Sequence, residues 1–168
     1  MKKIGFVLSI LALSLSACET ESPGDITREF FENSKVEFVS NQPYDDGPQI
    51  RTGYIQSGQN LTFRYTLNHP QEDAIADDEL SEVFIFEIPK NANSFSYSTT
   101  ESMANDALIA DYRRVCFCGF SGFELISATI SASRISATEW HVTFDIIYKD
   151  DYSEYPLKDT GKYRLGSL

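Results

Sequence analysis

Thiols are scarce in this chain: its 168 residues hold three cysteines, at positions 18, 116 and 118, too few for a framework of disulfides. Histidine is scarcer still. With only His69 and His141, the supply of ligands for a soft-metal site is thin. Basic residues are outnumbered, 14 Lys and Arg against 25 Asp and Glu, for a net charge of −11. That balance argues against nucleic acid and bare anionic headgroups as partners. No apolar run approaches the ~20 residues of a spanning helix. The longest, residues 4–15, is too short. What remains is globular: 42% hydrophobic, 13% aromatic and 23% charged residues predict a packed core, not a disordered chain.

The short apolar run sits directly behind Lys2 and Lys3 and ends at Leu15-Ser16-Ala17-Cys18. A basic n-region, an apolar h-region and small residues before a cut are the parts of a secretory signal. Here the small-residue site ends in cysteine, and the tetrapeptide resembles the lipobox of bacterial lipoproteins. The resemblance covers the first 18 residues only. It implies a diacylglycerol on the Cys18 thiol, cleavage before Cys18, and acylation of the new amino group, as by palmitate. An ordinary signal cut near Ala17 is the alternative. Residues 1–17 then form the signal peptide and 18–25 a lipidated acidic tether broken by Pro23 and Gly24. Residues 26–168 form one β-rich domain of ordinary size. Loss of Lys2 and Lys3 takes the charge to about −13. Membrane attachment must therefore come from the acyl chains, several of which anchor stably where one is marginal. The expected location is the bacterial cell envelope, with the outer membrane favoured, on its periplasmic or surface face. Acidic residues behind the cysteine also resemble the export tags of surface lipoproteins in some bacterial groups.

Past the tether the dominant period is two. Leu61, Phe63, Tyr65 and Leu67 alternate with polar residues, as do Ile126, Ala128, Ile130 and Ala132, and Trp140, Val142, Phe144, Ile146 and Tyr148. The last two runs, joined by a short polar link, predict an antiparallel hairpin. Further short strands are expected over 36–40, 50–56, 82–88, 95–97, 113–120 and 162–165, separated by Gly, Asn, Pro and Asp clusters. A helical turn is expected over 26–33, capped by Asp25, and one short helix over 101–110. The fold class is therefore all-β, an antiparallel, immunoglobulin-like β-sandwich, with a small β-barrel as the alternative.

Candidates for chemistry are few. Cys116 and Cys118 are the only thiols besides Cys18, in a compartment that favours oxidation. Regular strand geometry puts their β-carbons about 6.5 Å apart, too far for a disulfide, so a bridge demands a turn or bulge. Gly119 and Gly122 allow one, and a strained bridge and two buried free thiols both fit. Gly119-Phe120-Ser121-Gly122 resembles the nucleophile elbow of α/β-hydrolases, but the motif needs glycine where the chain has Phe123. His141 and Asp145 share a polar strand face about 13 Å apart, too far to bond each other. Acidic loops at 45–46, 72–79 and 150–154 would suit Ca²⁺ but lack its loop spacing, and surface charge is the preferred reading. No cofactor and no metal ligand set is assigned. Tyr148, Tyr152 and Tyr155 offer rigid, polar-tipped contact area for a binding loop, or else fold back to cap the sandwich.

Together these features predict a non-enzymatic, lipid-anchored binding or structural module with an envelope protein or glycan as ligand. The rival is an envelope hydrolase or metal-dependent enzyme using Ser121, His141 and the acidic loops. The anchor is the sharpest expectation. Cys18→Ala should abolish lipidation and release the chain from the membrane fraction on detergent-free fractionation; unchanged membrane partitioning would refute the lipobox.

Overall fold

The computed structural model describes residues 24–41, 50–70, 80–99, 108–115 and 122–168. Eight strands occupy them: β1 (Asp25–Asn41), β2 (Ile50–Asn68), β3 (Ser81–Ile88), β4 (Ser94–Ser98), β5 (Ala110–Val115), β6 (Glu124–Ser136), β7 (Glu139–Lys149) and β8 (Glu154–Leu165). They form one open sheet in the order β4-β6-β7-β8-β1-β2-β3-β5. Its two outermost strands do not pair, so the barrel alternative is excluded. All ladders are antiparallel except β1 with β8, which is parallel and only two pairs long, Glu29 with Arg164 and Phe30 with Leu165.

That narrow ladder divides the sheet into two four-stranded halves that face each other. The period-two runs explain why. On β7 every second side chain from Trp140 to Tyr148 is buried, and on β2 so are Leu61, Phe63 and Tyr65. These strands are not neighbours in the sheet, yet Phe63 meets Trp140 edge-on at 5.4 Å and Tyr65 meets Phe144 at 5.3 Å. Phe84 of β3 reaches Phe144 at 5.0 Å, and Tyr112 of β5 stacks on Tyr148 at 4.9 Å. The core is thus an aromatic layer between two sheet halves, the arrangement of a β-sandwich.

Beside the short parallel ladder, where β1 and β8 diverge, Arg28 forks onto Asp159 with bonds of 2.8 and 2.6 Å. The paired carboxylate raises the Arg28 pKa. Burial, with the Asp159 charge close by, pushes the Tyr65 hydroxyl up to about 12, and Tyr163 is raised for the same reasons. A β-carbon on Gly161 would lie 2.5 Å from Arg28 Nε, so glycine is what lets the guanidinium lie against β8.

β1 and β2 are far longer than the body is tall, and both bend. Asn33 takes a left-handed φ of 52°, and Ser34 pairs with both Ser57 and Asn60, leaving two residues of β2 extra. The Ser34 hydroxyl, fully buried, donates to the Phe31 carbonyl at 2.6 Å and meets the Thr62 hydroxyl at 2.9 Å. Beyond this bend, residues 34–41 and 50–57 form an arm that folds back over the outer side of β3 and β5. Val36, Val83 and Ile85 close a second apolar cluster there, with Phe38 and Ile55 packed on it. Polar contacts fasten it: the Val36 amide donates to Glu87 at 2.6 Å and the Gly53 amide to Asp111 at 3.0 Å.

Several expectations change. Residues 26–33 are strand, not a helical turn, because eight residues from Asp25 pair in register with β2 and long-range pairing overrides local preference. The strands expected at 36–40, 50–56 and 61–67 are parts of two bent strands. Ile126 does not share the face of Ala128 and Ile130: a bulge between Leu125 and Ser127 turns it outward, 40% exposed, and turns Leu125 toward the core. Lys149 ends β7 and Glu154 opens β8, leaving a four-residue turn. Of the helix expected over 101–110, residues 101–107 lie outside the described residues and Ala110 opens β5. The described residues contain no helix.

Phe144 touches Tyr65 and Phe84 from the centre of this layer. Phe144→Ala should cost about 3–5 kcal/mol in denaturant unfolding. Thr143→Ala, on the outer face of the same strand, should stay within about 0.5 kcal/mol. Equal losses would contradict the inward assignment of Phe144.

Candidate functional site: a groove beside the folded arm

The arm covers only part of the outer face of β2, β3 and β5. What it leaves open is a groove of about 440 Å³, within the size range of small-molecule sites. Its apolar side is Ile55, partly exposed and packed on the second cluster, with the buried Ile85 beneath. One wall is the arm, with Tyr54, Gln56 and Ser57. Arg64, Phe31 and Arg113 line the sheet side, and Ser167 and Leu168 close one end.

Both arginines are held by rings. The Arg64 guanidinium lies 4.9 Å from the Phe31 centroid and pairs with Glu29 through Nε and Nη2. Arg113 lies 5.5 Å from the Tyr54 centroid and donates Nη1 to the Gly53 carbonyl at 3.3 Å. Gly53 is required where it stands, since a β-carbon there would come within 2.8 Å of Asp111. Asp111 is pushed above the ordinary aspartate range by burial, against the Gly53 amide bond and the charges of Arg113 and Arg51 that pull it down. The arm is therefore latched by a carboxylate that burial makes costly to ionise.

The residues singled out from sequence fall elsewhere. Cys18, Cys116, Cys118 and Ser121 lie outside the described residues, as do the acidic loops at 45–46 and 72–79. His141 is exposed on the outer face of β7, opposite Ser133 and Lys162. Gly122, next to Ser121, lies before β6, at the other end of the sandwich from the β6–β7 turn near His141. Asp145 pairs with Lys158 at 2.8 Å. His69 follows β2 and reaches Glu82 at 2.9 Å, while the other oxygen of Glu82 accepts from the buried Tyr112 hydroxyl at 3.0 Å. Burial and the Glu82 charge raise the Tyr112 pKa, so this hydroxyl keeps its proton and donates a hydrogen bond to Glu82.

The three tyrosines separate. Tyr148 is buried, and Tyr155 packs on Phe123 at 5.5 Å and donates to Asp150 at 2.9 Å. Only Tyr152, 89% exposed, is presented to solvent. Asp150 closes its own turn: amide donation by Tyr152 holds it below the usual carboxylate range, with further bonds from Ser153 and Tyr155. This loop caps the sandwich end. Among the described residues no group of three or more His, Cys, Asp or Glu side chains is placed to hold a metal ion.

No family model, curated protein or solved structure matches the chain. The groove residues Arg64 and Arg113 escaped sequence reasoning because single arginines on alternating strands carry no motif. The available signal was Gly53 and Gly58 inside otherwise strand-like runs, which mark close backbone approach.

The latch gives a pH test. The folded state holds the Asp111 proton more readily than the unfolded chain does, so this group's contribution to stability is complete at low pH. It falls as pH rises from the ordinary aspartate pKa of about 4 through the raised folded value. Asp111→Asn keeps an acceptor for the Gly53 amide without the charge. It should match the parent near pH 3 and exceed its stability at pH 7, measured by urea midpoint. Asp111→Ala, which orphans that amide, should lose about 1–3 kcal/mol.

Proposed function

We propose that this chain is a lipid-anchored, non-enzymatic binding module of the bacterial cell envelope, tethered to the outer membrane through Cys18 and binding its ligand in the groove beside the arm. The observation that carries the reading is the polarity of the fold relative to the tether. Gly24 sits against Asn68 and His69, at the start of β1, and a β-carbon on it would overlap the Asn68 carbonyl. The bend at Ser34, with Ser57 of the groove paired to it, lies at the far end of the ladder's first segment, which runs from Asp25–Asn68 to Glu32–Leu61. Eight paired residues separate the two ends, about 25 Å at strand rise. A body tethered at one end holds the far end of such a groove clear of the surface to which it is anchored.

Rigidity supports the same reading. Binding residues placed on strands, with their side chains stacked on rings, lose little further freedom on contact. The groove uses neither histidine, so binding there is independent of the imidazoles on which the hydrolase alternative depends.

Two measurements check this. In a density gradient the full-length protein should sediment with outer-membrane material and be extracted by detergent but not by high salt. Detergent-solubilised protein should then bind isolated envelope preparations saturably, and His69→Ala and His141→Ala should leave that retention unchanged. Absence of saturable retention would refute the binding-module reading; loss of retention with either histidine would favour the enzyme alternative.

A further inference from the structure

In a chain with 25 acidic and 14 basic residues, two guanidiniums line one groove. We propose that this groove takes a carboxylated saccharide unit, a uronic acid residue, with its carboxylate between Arg64 and Arg113. The inference rests on the binding-module reading and names its ligand class.

Three details carry it. First, donors are left over. Arg64 uses Nε and Nη2 on a single oxygen of Glu29, and Arg113 uses Nη1 on the Gly53 carbonyl. Arg64 Nη1 and the Nε and Nη2 groups of Arg113 have no hydrogen-bond partner among the described residues. Second, the donors are oriented. Each guanidinium lies over an aromatic ring, Phe31 or Tyr54, which restricts its plane before any ligand arrives. A planar fork so held suits a carboxylate better than a freely rotating ammonium would. Third, the rest of the lining suits a sugar. Ile55 gives an apolar contact for the ring face, and Gln56, Ser57 and Ser167 supply amide and hydroxyl groups around it.

The charge count selects among anions. Glu29 pairs with Arg64 and the Asp111 carboxylate lies within the field of Arg113, so the site offers directed donors and little surplus charge. A singly charged planar carboxylate suits such a site better than a phosphate dianion does.

The test is a titration of the full-length protein in detergent solution with glucuronate, glucose and inorganic phosphate, followed by backbone-amide NMR. Glucuronate should give saturable shifts confined to the arm, Arg64 and Arg113, with a dissociation constant of order 1 mM, the affinity expected of a single small unit. Glucose and phosphate should bind at least ~10-fold more weakly, a difference of about 1.4 kcal/mol. Arg113→Gln should weaken glucuronate by the same factor or more. Arg134→Gln, whose guanidinium bonds Glu32 outside the groove, should leave it unchanged. The spectrum of Arg113→Gln outside the arm should overlay that of the parent; if it does not, Arg64→Gln replaces it under the same ten-fold criterion. Equal response to glucose and glucuronate, phosphate bound as tightly as glucuronate, full affinity in the arginine variant, or no saturation by roughly 50 mM would each overturn the proposal. Envelope retention separates the two levels: if it persists while glucuronate fails, only the ligand class is wrong, and if it is absent in the parent protein, the binding-module reading falls with it.

Discussion

The bend at Ser34 is the constraint from which the outer half of the structure follows. Two long strands cannot continue straight past the end of a sandwich without leaving their apolar residues in water. By turning at a left-handed Asn33 and a double-residue bulge, they lay residues 25–32 and 60–68 on the body of the sandwich and residues 34–41 and 50–57 on the outside of the same sheet. The turn places a hydroxyl where no water reaches it, and the Phe31 carbonyl and Thr62 hydroxyl satisfy that group locally. Phe30 and Phe31 show the division in adjacent residues: Phe30 faces the inner core, and Phe31 lies under Arg64 beside the groove.

The inner face was legible in the sequence because its signal is a strict alternation over long stretches. Trp140 to Tyr148 alternate as the buried positions do, and Leu61, Phe63 and Tyr65 are all buried, although Thr62 between them is buried too, on the other face beside Ser34. Alternation fails to report a change of layer, however. Val36 and Ile55 alternate as any strand residues would, and nothing in their spacing says that they cover a different sheet face from Phe63 and Phe144. Bulges are equally silent. Ile126 carries the same apolar identity as Ile130, and only the skipped pairing at Leu125 reverses its direction. The groove was invisible for a related reason: Arg64 and Arg113 are 49 positions apart and are brought to one cavity by an arm whose path depends on the bend.

Aromatic packing carries polar atoms into the core. The indole nitrogen of Trp140 and the hydroxyl of Tyr148 are buried with no hydrogen-bond partner among the described residues. Each such atom costs on the order of 1–3 kcal/mol. Both belong to side chains whose rings are engaged on several sides, Trp140 by Phe30 and Phe63, Tyr148 by Phe84 and Tyr112. The ring contacts and buried area are the terms that offset the missing bonds. Burial also raises the Tyr148 pKa, so the orphaned hydroxyl stays neutral at physiological pH.

The two-pair ladder between β1 and β8 joins the first strand of the body to the last. All other ladders link strands that lie nearer in the chain, so the halves can assemble separately while this join waits for the C-terminal segment. Until residues 154–165 are available, β1 has a free edge and the aromatic face of β2 and β3 lacks part of its cover. The β1–β8 join is the longest-range pairing in the sheet, and contacts of such separation carry the largest loop-closure cost. Removing residues 154–168 would do more than delete one strand: it would open the seam between the halves, leaving β1 with a free edge and Arg28 without Asp159.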